Sequence, residues 1–285
     1  MDPNAIMLAS TVSSKMLGAM GAKEGFQFED TLTGFKWMGT RASVLEEEDQ
    51  RLKKSVQDSI KMLFAYEEAI GFCIGNIVRD KDGVSAAAVF AEMSHHLYRE
   101  RTAASSSGSS GSNEAGTAGS AKRRKHELSP IAAELLRLNE TYGFFCQNNG
   151  HFYYKDTDTV DAIFARLRNN GNYSLGFGGG DDDGDELTLK IKDIRDLTGA
   201  GYDSSRADKK PILPTSSAHM LTYTFDTHNA VVTLRTSGTE PKLKYYVEVV
   251  GETQELSEAR ASAVAASVVK YMLEPERNEL SRKPQ

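Results

Sequence analysis

The residues whose types are best suited to chemistry lie in one short run, Arg235-Thr236-Ser237-Gly238-Thr239-Glu240-Pro241-Lys242. A guanidinium, several hydroxyls and a glycine are gathered there between two strand-like segments. Turn backbones whose successive N–H groups point inward form nests for anions. The hydroxyls of Ser237 and Thr239 add donors, Gly238 lets a ligand approach the backbone, and Arg235 can grip a phosphate with two hydrogen bonds. An ordinary polar hairpin turn draws on the same residue types. The run alone therefore favours phosphate binding only modestly.

Three other runs could contribute. Glu67-Glu68-Ala69-Ile70-Gly71 directly follows an apolar strand, at the end of a strand where α/β sheets commonly place ligand contacts. A carboxylate there could accept hydrogen bonds from neighbouring sugar hydroxyls; the alternative is a pair of solvated glutamates opening a loop. Gly34-Phe35-Lys36-Trp37 sets a cation among aromatics and holds the chain's only tryptophan, although such rings are more often core. Arg79-Asp80-Lys81-Asp82-Gly83 precedes a helix and reads by itself as a capping and ion-pair cluster.

These runs need elements to hold them. A helix is expected over 15–23, with Ser13 or Ser14 as its N-cap and Gly25 ending it. Phe26-Gln27-Phe28 alternates like a strand, 31–39 is rich in turn formers, and 43–60 is charged at helical spacing. A strand over 62–66 and an alanine-rich helix over 83–98 follow. Strand and helix thus alternate, which predicts an α/β layer domain.

Residues 101–125 collapse to Ser, Gly, Ala and Asn and end in Lys122-Arg123-Arg124-Lys125. That is the composition of a disordered insertion, its basic end either a solvated loop or a localisation or partner signal. The helical pattern resumes over 130–142, so the insertion splits a helical region, and the domains are drawn at 1–147 and 148–285. The second has helices at 157–167 and 256–273, and strands at 187–194, 221–225, 231–234 and 244–250. This predicts a smaller α+β domain with an antiparallel sheet.

With 285 residues, 39% hydrophobic and 26% charged, the chain has the composition of a globular protein. A net charge of −6 argues against nucleic acid as a partner, since phosphate backbones need concentrated positive charge. No run approaches the ~20 apolar residues of a membrane span, and residues 1–10 lack the pattern of a secretory leader. Cys73 and Cys146 stand far apart without metal-like spacing, which favours a reducing, cytoplasmic setting over a disulfide framework or a zinc site.

In order, TGFKW, FAYEEAIG, RDKDGVSAA, TGYDSS and TLRTSGTEPK resemble the α-D-phosphohexomutase superfamily. The resemblance is strongest to its eukaryotic phosphoglucomutase/phosphopentomutase branch, which includes glucose-1,6-bisphosphate synthase. It runs from Met7 to about Val250, the 101–125 insertion excepted. It implies the third and fourth domains of a four-domain enzyme that moves a phosphoryl group between sugar hydroxyls through a bisphosphate intermediate. By position, Arg235, Ser237, Gly238 and Thr239 would hold the phosphate that is not reacting. Glu67 would bind two sugar hydroxyls, and Lys36 and Lys81 would line the phosphosugar pocket. Ala69 stands where glucose-preferring relatives often have serine, which leans towards the pentose or bisphosphate-synthase branch.

The family's catalytic phosphoserine loop, Thr-Ala-Ser/Gly-His-Asn-Pro, has no counterpart in the 285 residues. Neither has its Asp-x-Asp-x-Asp-Arg magnesium loop: Asp181-Asp182-Asp183-Gly184-Asp185-Glu186 lacks the arginine and reads better as an acidic surface loop. The resemblance therefore implies Mg²⁺ in the complete enzyme with its ligands outside this chain, a phosphosugar as substrate, and a missing N-terminal half as partner. The alternative is a truncated phosphosugar-binding fragment without turnover.

Overall fold

The computed structural model describes residues 2–52, 54–55, 58–107, 128–173 and 189–283. The basic run Lys122–Lys125, most of the 101–125 insertion, the acidic run Asp181–Glu186 and the first residues of the strand expected at 187–194 lie outside the described residues. The chain divides into two compact units, Met1–Gly143 and Phe144–Gln285.

In the first unit, β1 (Ala5–Ser10), β2 (Gln27–Thr31), β3 (Lys61–Glu67) and β4 (Gly71–Ile74) form a sheet in the order β2-β1-β3-β4. The first three strands run parallel, and β4 returns antiparallel to β3. Parallel pairing puts Ser10, Thr31 and Glu67, the last residues of three strands, on one edge of the sheet. Helices α1 (Met16–Glu24), α2 (Phe35–Arg51), α3 (Gly83–Ser107) and α4 (Pro130–Tyr142) complete the unit. Phe35, Met38, Ala42 and Leu45 recur at helical spacing on α2 and bury against Ile6, Leu8, Met62, Ala65 and Cys73 of the sheet.

The second unit is an antiparallel sheet in the order β5-β10-β9-β8-β6-β7. Its strands are β5 (Phe144–Tyr153), β6 (Ile191–Asp196), β7 (Tyr202–Asp203), β8 (Met220–Phe225), β9 (Val231–Thr236) and β10 (Lys242–Gly251). One face is covered by α5 (Thr157–Arg168) and α6 (Gln254–Ser267), which runs on into a π-helical turn over Val268–Leu273. Val160, Ile163, Phe164 and Leu167 of α5 are all buried in this core, each worth about 1.5–3 kcal/mol of transfer free energy. Asp156 caps α5 and Thr253 caps α6 by accepting from Thr159 N at 2.8 Å and Leu256 N at 3.2 Å.

Several sequence expectations are corrected in detail. The turn-rich segment at 31–39 becomes helix from Phe35 onward, because Gly34 makes the bend alone at φ 106°. The charged helix ends at Arg51, not at 60: Asp49 accepts from Ile60 N at 2.5 Å and pairs with Lys54 at 2.7 Å, folding the chain back. The N-cap position of α1 falls on Lys15, not on Ser13 or Ser14; Ser14 Oγ still accepts from Met16 N at 3.2 Å, while Ser13 Oγ lies 2.7 Å from Ser10 Oγ. The join between units falls after Gly143, at φ 112°, and residues 147 and 148 lie inside β5.

Candidate functional site

The first group of side chains gathers at the edge where β1, β2 and β3 end. Glu67 is the last residue of β3, and Gly71 stands across from it at the start of β4. Alternation along β3 gives Glu67 the face of Ala65, the face covered by α2. Gly71 is needed there. A Cβ at that position would lie 2.7 Å from Phe35 Cε2 and 2.9 Å from Lys81 Cγ. The Lys81 ammonium sits 5.0 Å from the centre of the Phe35 ring, and Lys36 follows Phe35 in the first turn of α2, its ammonium 5.4 Å from the Trp37 ring centre. The edge thus brings Lys81 against Phe35 and Gly71, with Glu67 paired to Gly71, while Lys36 lies over Trp37 in the first turn of α2.

Lys81 is placed by its neighbours. Asp82 N donates to Phe72 O at 2.8 Å, and Asp82 Oδ1 accepts from Val84 N and Ser85 N, opening α3. Hydrogen bonds from Ser85 hold the Asp82 carboxyl below the usual carboxylate range. Arg79 is ion-paired to Glu46, and Lys81 pairs with Asp80 at 3.0 Å, so the segment has the capping and ion-pair character its sequence suggests.

The two glutamates differ sharply. Glu68 Oε2 accepts from Ser10 Oγ at 3.0 Å and is tied to the end of β1. The Glu67 carboxylate makes no hydrogen bond or ion pair among the described residues and is half-buried. A half-buried carboxylate at a sheet edge, without a protein partner, suits a polyhydroxy ligand. The residue types alone singled out the pair without distinguishing its members, and only the family resemblance pointed to Glu67.

In the second unit, Arg235 and Thr236 end β9, and residues 237–241 return to β10. The turn is closed by Ser237 N to Lys242 O at 2.8 Å and Lys242 N to Glu240 O at 2.7 Å. The N–H groups of Gly238, Thr239 and Glu240 and the hydroxyls of Ser237 and Thr239 make no hydrogen bond among the described residues. A Cβ at Gly238 would meet nothing within 4 Å, and its φ is not in the left-handed region. The space in front of the turn is open.

The electrostatics favour an anion. Glu240 is neutralised within the turn by Lys242 at 2.7 Å, which holds its carboxyl below the ordinary range and raises the lysine. Arg235 has no carboxylate partner among the described residues; its guanidinium lies over the Tyr246 ring. His151, paired with Lys244 across β5 and β10, is pushed down by burial and by Lys242, Lys244 and Arg282. The structure thus leaves the hydroxyls of Ser237 and Thr239 and the N–H groups of Gly238 and Thr239 without protein partners in one turn, with Arg235 at the end of the strand leading into it. His151 and Lys244 escaped sequence reasoning because they meet only through strand register.

No group of three or more His, Cys, Asp or Glu converges on a metal site among the described residues. No described helix is long and apolar enough to cross a membrane.

The described residues thus hold an α/β layer whose sheet ends in a half-buried carboxylate without a protein partner, followed by an antiparallel unit with an open polar turn. Residues 1–107 match the profile of the phosphoglucomutase/phosphomannomutase alpha/beta/alpha domain III. Over 286 residues the chain is 37% identical to mouse (Mus musculus) glucose 1,6-bisphosphate synthase, covering 97% of this chain and 38% of that protein. It is 40% identical to human (Homo sapiens) phosphopentomutase over 247 residues, 85% of this chain and 32% of that one. It is 33% identical to phosphoribomutase of Saccharomyces cerevisiae over 271 residues, 91% and 36% respectively. The chain is thus similar to phosphosugar mutases of the phosphoglucomutase/phosphomannomutase family, and it spans 38% or less of the length of these relatives.

Proposed function

We propose that this chain supplies the sugar-binding and phosphate-binding parts of a phosphosugar mutase of the phosphoglucomutase/phosphopentomutase type. The observation that carries the reading is the turn 237–240, with three N–H groups and two hydroxyls uncommitted beside Arg235. Arg235, Ser237, Gly238 and Thr239 would hold the phosphate that does not react, while Glu67 accepts from two sugar hydroxyls. Lys36 and Lys81 would add positive charge to the phosphosugar pocket. Phosphoryl transfer of this kind rests on positioning and charge neutralisation. Mg²⁺ would supply charge neutralisation at the transferred phosphoryl group, held, as the resemblance implies, by ligands outside this chain.

The relatives' names, a bisphosphate synthase, a phosphopentomutase and a phosphoribomutase, agree with the lean that Ala69 gives towards pentose phosphates or bisphosphate synthesis. Carbohydrate metabolism in the cytoplasm is the setting that fits. A phosphosugar-binding fragment without turnover is favoured by one observation: neither the phosphoserine loop nor the magnesium loop occurs in the 285 residues.

The test is a comparison of ligands by NMR on the labelled chain. Inorganic phosphate, glucose 1-phosphate and ribose 5-phosphate should all shift the amides of 237–240. Only the two sugar phosphates should also shift residues around Glu67 and Lys81. Sugar phosphates that perturb neither region contradict the reading.

A further inference from the structure

Helix α5 carries Asp161, Phe164 and Arg168 at spacings of three and four, so all three project from one face. That face closes on a single side chain, His219. The His219 ring stacks on Phe164 with centroids 4.3 Å apart. Its Nδ1 lies 3.2 Å from Arg168 Nη2, and its Nε2 lies 2.7 Å from Asp161 Oδ1. A guanidinium can only donate, so Nδ1 accepts and the ring proton sits on Nε2, where it serves Asp161.

Arg168 is itself fixed from two further sides. Its Nε donates to Asp196 Oδ2 at 2.5 Å and its Nη2 to Thr198 Oγ1 at 2.9 Å. Asp196, only 3% exposed, also accepts from Tyr173 Oη at 3.1 Å and Thr198 N at 3.0 Å. Thr198 Oγ1 in turn accepts from Met220 N, the first residue of β8. The cluster therefore surrounds the point where the chain enters β8.

His219 immediately precedes that strand, and its carbonyl accepts from Thr236 N at 3.0 Å. Thr236 stands between Arg235 and Ser237. This bond roots the turn on the neighbouring strand at the last position before the chain leaves the sheet. Donors aimed at an anion must be held to a few tenths of an ångström by side chains that are themselves locked.

We propose that Asp161, Phe164 and Arg168 clamp His219 as a positioning unit for the turn 237–241, acting on it through the His219 carbonyl. The clamp makes no contact with the anion; it sets where the turn begins. The proposal rests on reading that turn as the phosphate site.

The test uses the full 285-residue chain, with amide hydrogen exchange and titration of inorganic phosphate. His219→Leu keeps an apolar group on Phe164 but loses both ring hydrogen bonds. Exchange at Thr236 and Ser237 should quicken roughly five- to tenfold, about the worth of one net hydrogen bond, and phosphate affinity should fall by a similar factor. His219→Gln, whose amide can accept from Arg168 and donate to Asp161, should recover most of both. Asp161→Ala, at a side chain 65% exposed, should act in the same direction even if the leucine variant folds poorly. Arg166→Ala removes bonds from the same helix to Tyr271 O and Met272 O, and should leave Thr236 and Ser237 unchanged. Exchange at these two amides that ignores both His219→Leu and Asp161→Ala, that glutamine fails to restore, or that Arg166→Ala quickens equally, overturns the clamp. A wild-type chain whose turn ignores phosphate contradicts the phosphate reading instead, and the exchange comparison still decides the clamp.

Discussion

Arg235 donates through Nη2 to Tyr246 Oη at 3.0 Å, and its Cζ lies 5.5 Å from the centre of the same ring. The guanidinium is held by Tyr246 beside the turn 237–241, so on the proposed reading little rotamer freedom would be lost when an anion arrives. A lysine keeps the charge but not the planar fork or the stacking. Arg235→Lys should therefore weaken phosphate binding by about 1 kcal/mol, between wild type and Arg235→Ala. Lysine binding phosphate as tightly as arginine in a calorimetric titration would show that charge alone suffices.

Glu67 offers a contrasting case, because its carboxylate has no protein partner to lose. Glu67→Gln should leave thermal stability and inorganic phosphate affinity unchanged. Sugar phosphate affinity should drop by roughly 1.5–3 kcal/mol, as charged acceptors are exchanged for a neutral amide. An equal loss for inorganic phosphate and sugar phosphate would place the effect elsewhere than on the hydroxyls.

Gly71→Ala tests the packing that seats Lys81. The added methyl would meet Phe35 Cε2 at 2.7 Å and Lys81 Cγ at 2.9 Å. Both must move, at a typical overpacking cost of about 1–3 kcal/mol, and sugar phosphate binding should weaken with the displaced lysine. Unchanged melting temperature and affinity would mean that the contact is not made in solution.

These positions also show how far the sequence could be read. Strand β3, α1, α5 and the run 235–242 were legible because apolar periodicity and turn chemistry are local signals. β5 was not: Gln147, Asn148, Asn149 and Gly150 are poor strand formers, and the strand is made by its ten-residue pairing with β10. Phe35–Gly39 was read as turn because Gly34 and Gly39 flank it. Yet Gly39 lies inside α2, where a Cβ would come 2.5 Å from Arg79 O, so it is a close-approach glycine and not a breaker. The partnerless state of Glu67 and the His219 cluster depend on register and on helix-to-sheet contacts, which no local pattern reveals.

Asp196 gives the clearest pH dependence. Burial pushes its carboxyl up, but hydrogen bonds from Arg168 and Thr198 outweigh this and hold it below the ordinary carboxylate value. A depressed folded value stabilises above the unfolded pKa of about 3.9 and is lost as pH falls through the folded value. Wild-type stability should therefore decline on acidification below about pH 4. Arg168→Met removes the carboxylate's charged partner and leaves it only the Thr198 and Tyr173 hydrogen bonds, costing roughly 3–5 kcal/mol at neutral pH. Burial is then opposed only by the hydrogen bonds from Thr198 and Tyr173, so the carboxyl rises and less stability is lost on acidification than in the wild type. Parallel pH profiles for the two proteins in denaturant melts would contradict the pairing.

The central claim, that residues 235–239 form an anion site within the second unit, is tested most directly by titrating inorganic phosphate into the labelled chain and following its amides. Shifts should cluster at Ser237, Gly238, Thr239 and Glu240, with weak affinity. Arg235→Ala should cost roughly 1.5–3 kcal/mol of it, the worth of a charge-assisted pair. Shifts gathering elsewhere, or Arg235→Ala binding phosphate as well as wild type, would contradict the claim.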